Sequence, residues 1–231
     1  MKLSIVIPAF NEEKLLGATL AGIREATQGL ETELIVCDNN STDRTAEIAR
    51  QAGAKVVFEP VNQISRARNT GAAAASGEWL VFVDADSLPE PALFADLAVA
   101  IASGRYVGGG ATVRFDAADR LSHAAVAIWN AISRGMRWAA GSFVFCRADA
   151  FRAIGGFSTE LFASEEIDFS RRLKRIGRLT ILHRHPLRTS GRKVRLYSKR
   201  EYFSLLFRIV FSGGRALRRR EDCFAWYDGR R

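Results

Sequence analysis

Two carboxylates one residue apart, Asp84 and Asp86, close the run Leu80-Val81-Phe82-Val83-Asp84-Ala85-Asp86. The apolar residues before them read as a strand buried on both faces, as in a parallel sheet. Alternate strand residues point the same way, so both acids reach one ligand if the extended geometry continues. A hard divalent cation is typically held by one or two carboxylates plus substrate phosphates. The alternative is a pair of solvated acids at a strand-to-turn junction, with Pro89 and Pro91 close by. Two other apolar runs end in polar residues, Pro8-Ala9-Phe10-Asn11-Glu12 and Asp38-Asn39-Asn40-Ser41-Thr42-Asp43. Phe10 offers an apolar wall to a nucleotide base, and Asp38 or Asn39 a partner for its hydrogen-bonding edge. Ser41 also reads as a helix cap, and Asn11-Glu12-Glu13 as a first turn whose acids suit the helix dipole.

These groups meet only if the strands lie side by side. Residues 3–8, 33–37, 55–58 and 80–83 read as strands, alternating with helices over 12–27, 41–52, 67–75 and 91–102. That rhythm is the sign of βαβ units and a parallel sheet, whose carboxyl edge gathers distant residues into one crevice. Beyond residue 104 the rhythm changes. Residues 105–115 read as a strand bent or bulged at Gly108-Gly109-Gly110, 121–134 as a helix, and 141–146 as a strand. A short helix over 147–154 ends at Gly155-Gly156, and Ser164 is expected to cap a helix reaching Ile176. Residues 179–182 read as a last strand, and 201–217 as an amphipathic helix. We therefore expect a nucleotide-binding half over 1–110, a second half of the same domain over 111–185 and a basic extension over 186–231.

Composition narrows the function. Hydrophobic residues make up 48% and charged residues 26% of the 231, as in an ordinary soluble protein. No run of about 18 apolar residues suggests a transmembrane helix, and the N-terminus does not resemble a signal peptide. The three cysteines show no metal or disulfide spacing, which fits a reducing cytoplasm. The net charge of +9 is a C-terminal property: residues 1–170 carry 15 Lys/Arg and 21 Asp/Glu, residues 171–231 carry 19 and 4. Such a tail suits an anionic partner, be it phosphate, acidic lipid or nucleic acid. No Gly-x-Gly-x-x-Gly or Gly-Lys-Ser/Thr loop follows the first strand, which argues against a dinucleotide dehydrogenase or P-loop NTPase. A bound phosphate would instead find its counter-charge in a metal on Asp86, helped by Arg66, Arg68 or the tail.

The motifs taken together resemble the family 2 glycosyltransferases of the GT-A fold. The similarity runs from Ile5-Val6-Ile7-Pro8-Ala9-Phe10-Asn11-Glu12-Glu13 through Asp38-Asn39-Asn40-Ser41-Thr42-Asp43 and Ala67-Arg68-Asn69-Thr70-Gly71 to Val83-Asp84-Ala85-Asp86. It resumes at Gly155-Gly156-Phe157 and Glu165-Glu166-Ile167-Asp168-Phe169-Ser170-Arg171-Arg172-Leu173. Each motif is weak singly; their order and spacing are specific. The resemblance implies a Rossmann-like α/β sandwich with a mainly parallel central sheet flanked by helices. It implies an inverting transfer of a sugar from a nucleoside-diphosphate sugar, a UDP-sugar by expectation, to a saccharide or lipid-linked acceptor of the cell-envelope kind.

Within that resemblance, Asp86 is expected to hold Mg²⁺ or Mn²⁺, and Asp84 and Ala85 to face the nucleotide with Pro8, Ala9, Phe10, Glu12, Asp38, Asn39 and Arg68. The catalytic base falls on the acidic pair Glu165-Glu166, where relatives usually carry Asp at the second position. Asn39 stands where many relatives have a second Asp, which leaves the base open because an amide both donates and accepts. His185 is a candidate to complete the metal site. Arg188 and Arg192 belong to a basic loop expected to close over the diphosphate, with a solvated loop as the alternative. The apolar stretch 202–211 could contact a membrane interface, the core or a second copy in a homodimer. The competing functions are a nucleotidyltransferase, which lacks its Gly-rich basic loop here, and a nucleic-acid-binding protein, which leaves the acidic sheet edge unexplained; no nucleic acid partner is expected.

Overall fold

The computed structural model of the chain describes residues 1–116, 120–190, 215–223 and 227. The elements run β1 (Leu3–Ala9), α1 (Leu16–Ala26), β2 (Thr32–Asp38), α2 (Thr45–Gln51), β3 (Lys55–Phe58), α3 (Ile64–Ala73), β4 (Trp79–Val83) and β5 (Ser87–Leu88). They continue with α4 (Pro91–Ala102), β6 (Gly108–Phe115), α5 (Arg120–Met136), β7 (Phe143–Arg147), α6 (Ala148–Ala153), α7 (Glu165–Leu173) and β8 (Leu179–Thr189). The strands form one sheet in the order β3-β2-β1-β4-β7-β6-β8-β5. The pairs β1–β2, β2–β3, β1–β4 and β6–β8 are parallel; β4–β7, β6–β7 and β5–β8 are antiparallel. The expected boundaries at 110 and 185 fall inside β6 and β8, so a single sheet runs through all three segments.

Alternation along the central strands divides the core. Leu3, Ile5, Ile7 and Ala9 of β1 and Trp79, Val81 and Val83 of β4 face one layer, with Leu16, Leu20 and Ile23 of α1. Val6, Leu80 and Phe82 face the other, against Phe151, Phe157, Phe169 and Leu173. A strand buried on both sides needs apolar residues at every position, which is why β1 and β4 read as unbroken runs.

Several local expectations change. α1 begins at Leu16 rather than Glu12, and α2 at Thr45 rather than Ser41. Ser41 is not a cap: its Oγ accepts the Asn11 N–H at 3.0 Å, while Asp43 Oδ1 accepts the Thr45 N–H at 2.9 Å. Ser164 stands at the start of α7 with φ 58° and makes no capping bond through its side chain. β8 continues to Thr189, past the expected end at Leu182, because its far end pairs with β5, a strand of two residues that the sequence pattern hides. The helix over 201–217 lies outside the described residues, apart from a 3-10 turn at Arg215–Arg218.

The glycine run is regularly paired on both sides rather than bent. The irregularity lies beyond it, where Ala111 pairs with Leu182 but Val113 pairs with Leu187. Glycine is demanded there by close approach: a Cβ on Gly109 would overlap the Thr180 carbonyl oxygen. Gly109→Ala should therefore destabilise the protein by about 1–3 kcal/mol, lowering its Tm by roughly 2–4 °C per kcal/mol. Gly135→Ala, on an exposed turn of α5 with open space around it, should leave Tm unchanged or raise it; equal melting of both variants would refute the close-packing account.

Candidate active site

The carboxyl ends of β1, β2 and β4 open on one cleft of about 550 Å³, solvent included, lined by Pro8, Ala9, Phe10, Glu12, Asn39, Asn62, Ile64, Asp84, Ala85, Asp86 and Tyr227. Its floor is pinned by bonds between loops. Glu12 and Glu13 N–H groups donate to Thr45 Oγ1 at 2.8 Å and Asp43 Oδ2 at 3.1 Å, and Thr42 N–H donates to Asn11 Oδ1 at 2.8 Å. The Asp84–Asp86 turn is held from several sides. Thr19 of α1 donates to the Ala85 carbonyl at 2.8 Å, Asp84 N–H donates to the Ser142 carbonyl at 3.3 Å, and Ser190 N–H donates to the Asp86 carbonyl at 3.1 Å.

Behind this turn lies Arg68, only 1% exposed. Its Nη1 donates to Glu165 Oε1 at 2.6 Å; its Nη2 donates to Asp84 Oδ1 at 3.1 Å and to the Gly141 carbonyl at 2.8 Å. The guanidinium also sits 5.2 Å from the Phe157 ring centroid. Three neighbours in sequence have separate tasks. The Asn69 amide exchanges two 2.9 Å bonds with the backbone of Phe157, fixing the Gly155-Gly156-Phe157 segment. Thr70 Oγ1 donates to Glu59 Oε2 at 2.7 Å, and Gly71 allows α3 to close on Val6 of β1. Arg68, Asn69, Thr70 and Gly71 thus each bind a different element to α3.

The acidic pair at the start of α7 is divided by this arrangement. Glu165 is buried and spent on Arg68. Glu166 lies beside it, its carboxyl at van der Waals range of the position a Cβ on Gly141 would take. Burial, then the charge of Glu165 and more weakly Asp84, pushes its pKa up to about 8, against the opposing pull of Arg68 and its own backbone N–H.

Residues 4–154 match the sequence profile of glycosyl transferase family 2. The chain belongs to glycosyl transferase family 2. It is 36% identical over 125 residues to the dolichol-phosphate mannosyltransferase of Pyrococcus furiosus, a stretch covering 48% of this chain and 35% of that protein. The chain spans about a third of the length of this relative and of an uncharacterised mycobacterial glycosyltransferase. Among solved structures, the mannosyltransferase of Pyrobaculum calidifontis in complex with GDP-Man and Mn²⁺ superposes with a TM-score of 0.68 at 21% identity, over 94% of this chain and 62% of that one. Glucosyl-3-phosphoglycerate synthase of Mycobacterium tuberculosis, with Mn²⁺, UDP and glucosyl-3-phosphoglycerate, gives 0.62 at 21%, over 90% and 78%. These likenesses establish the GT-A architecture that the motifs implied.

For this family 2 chain, the structure brings Pro8, Ala9, Phe10, Glu12, Asn39, Asp84, Ala85 and Asp86 to one cleft, while Glu165 and Glu166 stand behind Asp84 and do not line it. Arg68 is not exposed to a nucleotide: it is sealed behind Asp84, serving carboxylates rather than phosphate. Asn39 lines the cleft, but its side-chain amide is committed, donating to the carbonyls of Glu59 and Val61 at 3.2 and 2.7 Å and accepting the Gln63 N–H at 2.9 Å. Asp38 lies just behind it, one oxygen accepting the Ser41 N–H at 3.0 Å. His185 sits where β8 bulges opposite β6, with Nδ1 at 3.0 Å from Asp96 of α4, and is not among the cleft residues. Arg188 pairs with Leu88 of β5 and lies 3.9 Å from Glu90, also outside the cleft. Arg192 lies outside the described residues.

Sequence reasoning missed Asn62, Ile64 and Tyr227. Tyr227 comes from the far end of the chain and reaches the cleft through tertiary packing on Phe162, ring centroids 5.6 Å apart. No periodicity or motif marks it.

Removing a buried partner of an ion network costs about 3–5 kcal/mol because the remaining charges are stranded. Arg68→Met should therefore lower Tm by roughly 10 °C or more. Adding Glu165→Gln to that variant should recover part of the loss, since the two sites share one network. Additive losses in the double variant, read by thermal unfolding, would refute the pairing.

Proposed function

We propose that the protein transfers a sugar, with inversion and metal assistance, from a nucleoside-diphosphate sugar to an acceptor hydroxyl. The observation that carries this reading is the division of the acidic pair: Arg68 neutralises Glu165, and Glu166 keeps a proton-accepting carboxyl beside the strand end that also supplies Asp84 to the cleft. In the proposed step, Glu166 takes the acceptor's hydroxyl proton. The oxygen bonds to the anomeric carbon on the face opposite the diphosphate, and the bond from that carbon to the diphosphate oxygen breaks with its electron pair. An elevated pKa suits a base that works near neutrality.

The donor set fits a hard cation. No cluster of three metal-ligating side chains is found among the described residues. Mg²⁺ and Mn²⁺ sites that draw ligands from substrate phosphates need only one or two carboxylates. Asp86, the second acid of Asp84-Ala85-Asp86 and a residue of the cleft wall, is the proposed ligand; the ion would stabilise charge on the departing diphosphate. Phe10 is the proposed wall for the base, with Tyr227 bounding the same cleft. Ser190 enters residues 191–214 beside Asp86, which supports a role for Arg192 at the diphosphate. Uridine is the expected base, and comparing UDP- with GDP-sugars in thermal-shift titrations would assign it. The matched relative named a dolichol-phosphate mannosyltransferase supports a lipid-linked acceptor.

Asp86→Ala should reduce metal-dependent transfer by about 10²- to 10³-fold while leaving metal-free melting unchanged; full activity in that variant would eliminate the metal assignment. Glu166→Gln should still bind donor but lose about 10²- to 10⁴-fold in transfer. Below its pKa of about 8 the Glu166 carboxyl is protonated and cannot accept, so kcat/KM should climb as pH rises and level off above that value. The same shift has a stability signature. A raised folded-state pKa favours the fold below the unfolded value of 4.5, an advantage lost as pH rises through about 8. The wild type should lose stability across that window relative to Glu166→Gln, and parallel curves would refute the shifted pKa.

A further inference from the structure

The helix α5 turns an apolar face outward. Ile128, Ile132 and Met136, one helical turn apart, are 63%, 43% and 48% exposed, and Ala124 one turn before them and Ala131 and Gly135 beside them are exposed too. The opposite face is spent inside the protein: Val126 and Trp129 pack on the core, and the Asn130 amide exchanges bonds of 3.0 and 2.9 Å with the backbone of Val113. Scattered exposed aliphatics are ordinary, but a continuous row marks a contact surface.

Charge indicates what the row contacts. The sequence from Arg120 to Trp138 contains no acid, and Arg134 and Arg137 are exposed at its end. Arg171 and Lys174 of the neighbouring helix join them: Arg171 lies 4.9 Å over the Trp138 ring, and the Lys174 ammonium contacts the Met136 carbonyl. Besides burial, the charges acting on Lys174 are those of Arg137 and Arg171, so the cluster is mutually repulsive.

We propose that this face of α5 docks on an anionic lipid surface, the apolar row entering the interface and the Arg137–Arg171–Lys174 cluster meeting the headgroups. In-plane amphipathic helices bind bilayers in this way, with basic residues beside the apolar face. A second copy fits less well. A symmetric pairing would set acid-free, cationic helices against each other. A 17-residue helix is about 25 Å long and would bury roughly 250 Å² per partner, against the ~800 Å² of a stable interface. The chain's own residues 191–214 carry six Lys/Arg and one Glu, the wrong sign to cover the cluster. The proposal does not depend on sugar transfer. It has a consequence for it, because Met136 is five residues before Gly141, which lies against Glu166.

The test uses the full chain with Ile132→Cys carrying a polarity-sensitive fluorophore; Cys37, Cys146 and Cys223 are buried and their thiol pKa values raised, so labelling is selective. Vesicles of phosphatidylcholine with phosphatidylglycerol should blue-shift the probe, and phosphatidylcholine alone should not. Ile128→Glu with Met136→Glu should keep the wild-type melting curve and weaken vesicle partition about tenfold or more. Co-sedimentation with anionic vesicles without a probe shift would assign binding to the basic C-terminal segment and overturn the proposal. A shift that depends on protein concentration without vesicles would assign the face to a second copy, and no vesicle binding at all would also overturn it.

Discussion

A guanidinium withdrawn from water must find carboxylates, and the one at Arg68 finds them on two elements far apart in sequence. Asp84 follows the end of β4 and Glu165 begins α7, and only the buried cation between them allows both to approach. Like charges at that range would repel, while an unpaired buried cation would carry a desolvation cost of several kcal/mol. The pairing therefore fixes the distance between the strand end that faces the cleft and the helix start that carries Glu166. The Gly141 carbonyl, bound to the same guanidinium, ties the loop before β7 into this arrangement.

The count of charges at this point has a chemical consequence. Three acids, Asp84, Glu165 and Glu166, share one arginine, and the arginine contacts only the first two. Glu166, half-buried, is left with the field of its neighbours, and its partial burial and their negative charge favour its protonated form. Two adjacent glutamates, equivalent in sequence, thus acquire different properties: one is a structural anion, the other the proposed base. A longer side chain than the family's usual Asp meets no obstruction at Gly141, which presents no side chain towards it.

Much of this was legible in the sequence where physics is local. The unbroken apolar runs of β1 and β4 announced strands buried on both faces, and the acids after them announced the edge where ligands bind. Their convergence with Phe10 and Glu12 follows from parallel topology alone. What pattern could not reveal was set by distant partners. Arg68 looked like a phosphate contact because an arginine among small polar residues does not disclose that two acids will bury it. Asn39 looked like a reader of the base, yet three backbone groups of the loop from Glu59 to Gln63 claim its amide. Ser41 looked like a cap until the Asn11 N–H claimed its hydroxyl. β5 is too short to carry a period, and Tyr227 lies beyond the last element that any pattern in the sequence marks.

The same dispersal explains why each motif is weak alone and specific in combination. The Asp84–Asp86 turn is held by Thr19 of α1, Ser142 before β7, Ser190 after β8 and Arg68 of α3, contacts that span most of the chain. None of these bonds involves a ligand, so the order they impose is established on folding rather than on binding. A donor or cation bound there as proposed would meet a backbone already fixed, and less of its binding free energy would be lost to arranging the site. Changes in the outer walls of the cleft leave these internal contacts behind the acids in place. That division places Arg68, Asn69 and Thr19 with the contacts that hold the acids in position, and Phe10, Asn62 and Tyr227 with the walls of the cleft.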